Sequence, residues 1–312
     1  LPYFMISRRN IRINVMQTIF ETNLQENEYN PEMAMKNLIS KYDKTNALFI
    51  ATVQLLFSIT QYAIISANQR ASKMAPSAED LNVNTKIAGN ILIEQIRKNE
   101  VFATMVKKYK TAFLFDEDLV KGLYTLLANS EEYKDYISNP ERNAKDEKKI
   151  LEVIFDLCIY GNENTTSVLA EKYMNWFNDF EMLFAWTEKM LMNIKGFHFD
   201  QVISADKLQY SKDLLNCYFE KKDFVFQLIS PKLVNWDPER IANLDMIILH
   251  LGICEFLYFP TIPVKVTINE YIDLAKSYST NQSGQFVNGL LDNVRKDLQA
   301  NNQLHKTDYI RK

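Results

Sequence analysis

Apolar residues along this chain recur at intervals of three and four rather than two, the period of helices that bury one face. In the first such stretch, "SRRNIRINVMQTIF", Ile11, Val15 and Ile19 with Met16 and Phe20 form the buried face, and Ser7 is placed to cap the start. A break at Asn30-Pro31 precedes a long helix from about Met33 to Asn68. A second break, Lys73 to Asp80, holds Pro76, with Ser77 and Asp80 spaced as a capping box. The pattern then predicts helices near 84–110, 116–129, 146–160, 165–178 and 181–195, with the charged stretch Glu131 to Lys149 as a solvated connection. After a break at Gly196 to Ala205 come further helices and a C-terminal hairpin. In it Thr267 and Glu270 read as a capping box, Tyr271, Leu274, Ala275 and Tyr278 as one buried face, and Phe286, Leu290, Val294 and Leu298 as the other.

The fold class this predicts is all-α, and composition agrees, with seven glycines and eight prolines in 312 residues. From Thr45 to Gln69 no residue is charged, over a length that could span a bilayer. Thr52, Gln54, Ser58, Thr60 and Gln61 interrupt it, so the expectation is a helix packed inside protein, with no membrane partner. Its apolar length also leaves a homodimer open. Cys158, Cys217 and Cys254 are odd in number, far apart and each in an apolar run, as reduced thiols of a cytoplasmic protein would be. No uncharged apolar core follows the arginines before Gln17 and Glu21, so no signal peptide is expected; Leu1 to Phe4 precede the first methionine and their origin stays open. Asn-Trp occurs at 175–176 and again at 235–236, each after a lysine and before a carboxylate, so regions 150–195 and 210–255 read either as degenerate copies or as a chance match.

Catalytic chemistry finds little material. His198, His250 and His305 are scattered, no Cys-x-x-Cys occurs, and neither phosphate-cradling glycine motif is present, so the expectation is no enzyme, no metal and no cofactor. Net charge is −3, so contact with nucleic acid would have to come from a local patch. Arg8, Arg9 and Arg12 make one. Cations in a first helical turn oppose the macrodipole, which points to an external anion, although a solvated basic terminus has the same composition. The hairpin loop collects Asn281, Gln282 and Ser283, donors and acceptors suited to base edges or phosphates and equally common in plain helix–helix loops.

Three stretches together resemble the NusB family of transcription antitermination factors. "RRNIRINVMQTIF" is similar to that family's Arg-Arg-x-x-Arg opening, "PVKVTINEYIDLAKSYSTNQSGQFVNGLLDNV" to its C-terminal signature, and "WDPERIANLDMIILHLGICEFLY" to the helices before it. The resemblance implies an arginine-bearing helix at 5–29, a helical insertion at 30–205, a C-terminal helical part at 206–300 and a flexible tail at 301–312. It implies binding of boxA-type single-stranded RNA together with the ribosomal protein NusE, in an antitermination complex with RNA polymerase on ribosomal RNA operons. By position, Arg8, Arg9 and Arg12 would hold the RNA backbone, Phe20 would stack on a base, and Gln282, Ser283 and Phe286 would lie near the RNA. Phe20 and Phe286 fit core packing as well. Asn10 interrupts the basic run, and His250 stands where a basic residue is common, which implies a less positive RNA surface. Two other classes stay in view: a protein–protein scaffold using the inserted helices, and an RNA cytosine methyltransferase, to which related domains are fused but whose glycine-rich cofactor domain is not seen here.

Overall fold

Side-chain caps open the helices of the first part of this chain, whereas, among the described residues, those from Trp176 onward start without one. The structure, a computed structural model, describes residues 6–24, 30–233 and 241–307, and among them there is no strand. The helices are α1 (Arg8–Leu24), α2 (Pro31–Ala71), α3 (Ala78–Leu81), α4 (Ile91–Arg97), α5 (Glu100–Tyr109), α6 (Glu117–Asn129), α7 (Glu131–Ser138) and α8 (Ala144–Val153). They continue as α9 (Glu163–Lys172), α10 (Trp176–Met192), α11 (Ala205–Glu220), α12 (Lys222–Ile229), α13 (Asn243–Tyr258), α14 (Val264–Tyr278) and α15 (Ser283–Ala300). Asn90, Asn99, Asp116, Ser130, Asn143 and Asn162 each accept a backbone N–H of the helix they open. These caps divide the predicted 84–110 helix into a 3-10 turn at Lys86–Gly89 followed by α4 and α5. They also turn much of the supposed connection at 131–149 into α7 and the start of α8, since Tyr133 and Tyr136, three apart, are both buried. The Ser77–Asp80 capping box is present.

The chain divides into two units. The first holds Tyr42–Val202. Its core is the uncharged part of α2, where Phe49 meets Trp186 edge-on at 5.4 Å and packs on Phe197 and Phe199. Among the described residues α2 is the one helix long and apolar enough to cross a bilayer, and 72% of that window is buried, as in a core helix. Its polar positions are satisfied within the unit: Thr52 donates to Leu48 O, Thr60 to Phe57 O, Gln61 to Ala88 O and Thr45 to Asp179. Beyond Val153 the α8 helix continues as a π-helix, Ile154–Tyr160, closed by Gly161 N–H on Asp156 O at 2.8 Å.

The second unit holds Ile6–Lys41 and the chain from Ile203 onward. Here α1, α11 and α13 pack on one another, and the α14–α15 hairpin closes over α13. Every residue of α13 from Ile247 to Phe256 is buried. Gly252 lets the hairpin come close: a Cβ there would stand 2.9 Å from Leu291 and 3.4 Å from Tyr271. The first turns of α2 belong to this unit, because Ala34 and Leu38 are buried and Lys41 pairs with Glu21 at 2.6 Å; the expected insertion at 30–205 takes in the whole of that helix. The expected tail is tied down as far as residue 307: Lys306 donates to Glu255 O and Phe259 O, and Thr307 N–H to Pro260 O. Residues 308–312, Leu1 to Phe4 and the second Asn-Trp pair lie outside the described residues. All three cysteines are buried and free.

Candidate nucleic-acid interface

Ser7 caps α1 by accepting Asn10 N–H at 3.1 Å, so Arg8 and Arg9 do occupy the first turn, which contains no carboxylate. Arg8 is exposed, its guanidinium 5.8 Å from the centre of the Tyr210 ring. Arg9 is half-exposed and lies 3.9 Å from Asp273 of α14, a solvated pairing worth under about 1 kcal/mol. Both cations remain open to a ligand.

Arg12 has a different place. It is 2% exposed and forks onto Glu255 of α13, Nε to Oε1 at 2.6 Å and the second guanidinium nitrogen to Oε2 at 3.1 Å. Glu255, fully buried, also accepts the hydroxyls of Thr267 at 2.8 Å, Tyr271 at 3.2 Å and Tyr210. A third nitrogen of Arg12 pairs with Glu270 at 3.2 Å. Burial by itself would lower the Arg12 pKa, but the charge and hydrogen bonds of Glu255 outweigh it and hold it above its ordinary value. Burial followed by the Glu255 charge drives the Tyr210 and Tyr271 hydroxyls well up. Lys306 is pulled down to about 8 by burial, with Glu255 opposing. Arg12 is therefore sealed in the core, and the expectation that it grips an RNA backbone is corrected on burial alone. A signal for this existed: Glu255 is the one carboxylate in the apolar run of α13 after Asp245, and a buried carboxylate needs a partner. Thr267 is likewise no cap, since α14 opens at Val264 behind Pro263 and the Thr267 hydroxyl belongs to Glu255.

Those same contacts give α1 its direction. Arg12 faces Glu270 while Arg9 faces Asp273, so α1 runs antiparallel to α14 and its N-terminus points to the end where the hairpin loop sits. Lys276, one turn beyond Asp273, is exposed and lays its stem across Gly284, where a Cβ would meet Lys276 Cγ at 2.8 Å. The lysine adds a third cation to this end, and the motif reading missed it because it lies inside the "DLAKSY" helix.

The loop itself splits. Asn281 and Gln282 are exposed. Ser283 is 1% exposed and bound to Asp245 at 2.7 Å and to Thr280 at 2.8 Å, so it holds the loop shut instead of facing a ligand. Phe286 is 6% exposed and reads as packing, whereas Phe20 is partly exposed. Beside the loop lies a groove of about 420 Å³ lined by Ile241, Ala242, Asp245, Thr280, Asn281 and Gln282, with Ser283 and Phe286. Oδ1 of Asp245 is buried beneath the groove and has no hydrogen-bond partner among the described residues. His250 is 5% exposed and packed against Tyr218, so its charge has no bearing on the outer surface. No group of metal-ligating side chains occurs among the described residues.

The sequence profile of the NusB family matches residues 179–296, from α10 through most of α15. Transcription antitermination protein NusB of Fervidobacterium nodosum is 37% identical over 120 residues, 38% of this chain and 77% of that protein. The chain belongs to the NusB family. The NusB proteins of Bacillus pumilus and Bacillus subtilis are 43% and 40% identical over 28% and 29% of this chain, which is 68% and 69% of theirs. No solved structure matches. The NusB profile thus takes in the Glu255 carboxylate, the hairpin and the loop, while α1 with its arginines and most of the first unit fall outside the matched stretch.

Proposed function

We propose that this chain is a non-catalytic transcription antitermination factor that binds single-stranded RNA of the boxA type together with the small-subunit ribosomal protein NusE, and joins RNA polymerase during ribosomal RNA transcription. The observation that carries the reading is the convergence of Arg8, Arg9 and Lys276 on the end of the second unit that presents Asn281 and Gln282. Arg8, Arg9 and Lys276 are solvated cations, Arg9 only loosely paired with Asp273 at 3.9 Å, and such cations hold phosphates, while neutral amides beside a groove read the edges of unstacked bases. Phe20, partly exposed on α1 about three turns beyond Arg9, is an aromatic that a strand running along that helix would reach for stacking. Membership of the NusB family supports antitermination as the setting.

The test is fluorescence anisotropy of a boxA-like RNA with the chain, with and without the ribosomal protein, across salt. Arg8→Ala with Arg9→Ala should weaken binding and flatten the salt dependence, by about 0.7 in log–log slope for each phosphate no longer held. Arg12 is left intact in this variant, because removing it would report on folding. Unchanged affinity in the double variant would refute the assignment of these two arginines.

A further inference from the structure

Helix α10 buries one face through Trp176, Met182, Leu183, Trp186 and Met190. Its opposite face, at spacings of four and three, reads Phe177, Glu181, Phe184, Glu188 and Met192, and all five are exposed. Phe177 is 80% and Met192 71% exposed, and Met174, one turn before Phe177, is 93% exposed. At roughly 200 Å² for a fully exposed aromatic, this stripe offers several hundred Å² of apolar surface, the scale at which patches on soluble proteins mark contact sites. The core of the unit lies on the other face, and of the aromatic pair in the stripe Phe177 stands free of it while Phe184 reaches Tyr160 at 5.7 Å.

The charged residues on the stripe itself are carboxylates, with Lys189 beside Glu188 at its edge and exposed Lys172 just ahead of Met174. The π-helix brings Asp156 to the surface with Glu152 four residues before it, and Glu188 of α10 comes near enough that burial, then Glu152 and Glu188, raise the Asp156 carboxyl above its ordinary value. Glu152 is shared with Lys148 at 3.1 Å, whereas no ion pair is found for Asp156, Glu181 or Glu188 among the described residues. Carboxylates held together at a surface repel one another and cost stability, a cost that a cationic partner removes. We propose that the outer face of α10 docks a basic amphipathic helix of a partner protein, its apolar positions at i, i+3/i+4 and i+7 seated on Phe177, Phe184 and Met192 and its lysines or arginines facing Asp156, Glu181 and Glu188. Charge complementarity selects this occupant. A second copy of the same face would bring like charges together, and an anionic lipid surface would be repelled.

The experiment uses the whole chain and two synthetic 18-residue amphipathic helices, one of leucine and lysine, the other of leucine and glutamate, in calorimetry. The lysine peptide should bind and the glutamate peptide should not. Phe177→Ser with Phe184→Ser, and separately Glu181→Lys with Glu188→Lys, should each weaken the lysine peptide at least tenfold while helicity and RNA affinity stay as in wild type. The second pair touches no aromatic and keeps the test sound should Phe184, which packs on Tyr160 at 5.7 Å, loosen the unit. Absence of binding, or binding equal in both variants, overturns the proposal. So does sedimentation showing that wild type self-associates and that Phe177→Ser with Phe184→Ser abolishes it, which would assign the face to a second copy.

Discussion

At Arg12 the guanidinium exists to neutralise Glu255, so Arg12→Ala strands a fully buried carboxylate. Urea unfolding should show a loss of about 3–5 kcal/mol. Arg8→Ala, one turn earlier and exposed, should stay within about 0.5 kcal/mol of wild type. A small effect at Arg12 would contradict the network. His250 gives a pH signature. Burial holds its folded pKa below the ordinary value, so between that value and about 6.5 the unfolded chain binds more protons. Stability should therefore fall as pH drops through about 6.5 and level off below the folded pKa. His250→Gln should remove that component, as followed by midpoints at a series of pH values. Composition could place the arginines in one helix but not distinguish them, because Arg12 sits beside Ile11 and three before Val15, inside the buried stripe. Only the distant partner Glu255, 243 positions away, decides its role.

Among the elements, the π-helix is the most exposed to a single change. A Cβ at Gly161 would stand 2.4 Å from the Asp156 carbonyl that closes the last π turn. Gly161→Ala should cost about 1–3 kcal/mol and lower the thermal midpoint, since backbone and not a pliable side chain stands in the way. An unshifted midpoint would mean the turn relaxes freely. Helices with long apolar periods, α1, α2, α6 and α15, were legible in the sequence. Those set by caps or by two tyrosines were not: α7 hides in a run of charges, and asparagines at 90 and 99 stop a pattern that otherwise continues. The π-helix shares the apolar spacing of an ordinary helix, so only its hydrogen bonds reveal it. The Thr267–Glu270 spacing misled for the opposite reason. It matched a cap, but Pro263 had already begun the helix one turn earlier.

For the whole molecule, the chain's division predicts separable effects. Phe49→Ala removes the ring shared by Trp186, Phe197 and Phe199 in the first unit and should cost about 3–5 kcal/mol there, seen in the near-ultraviolet signal of the tryptophans. RNA affinity, if it resides in the second unit, should be unchanged at temperatures below that transition; a parallel loss would show that the units are energetically coupled. The all-α class was readable from periodicity and the family from the resemblance of the C-terminal stretches. The assignment of the first turns of α2 was not, because it depends on Lys41 meeting Glu21 across a break. The ion pair between Arg12 and Glu255 also orders events on the ribosome. Translation runs at roughly 5–20 residues per second, so α1 waits on the order of tens of seconds for α13 to be made. Throughout that interval the nascent chain carries Ile11, Val15 and Ile19 without their native cover, while residues 42–202 emerge and can mature first. A chaperone holding the leading segment is what such a schedule would call for.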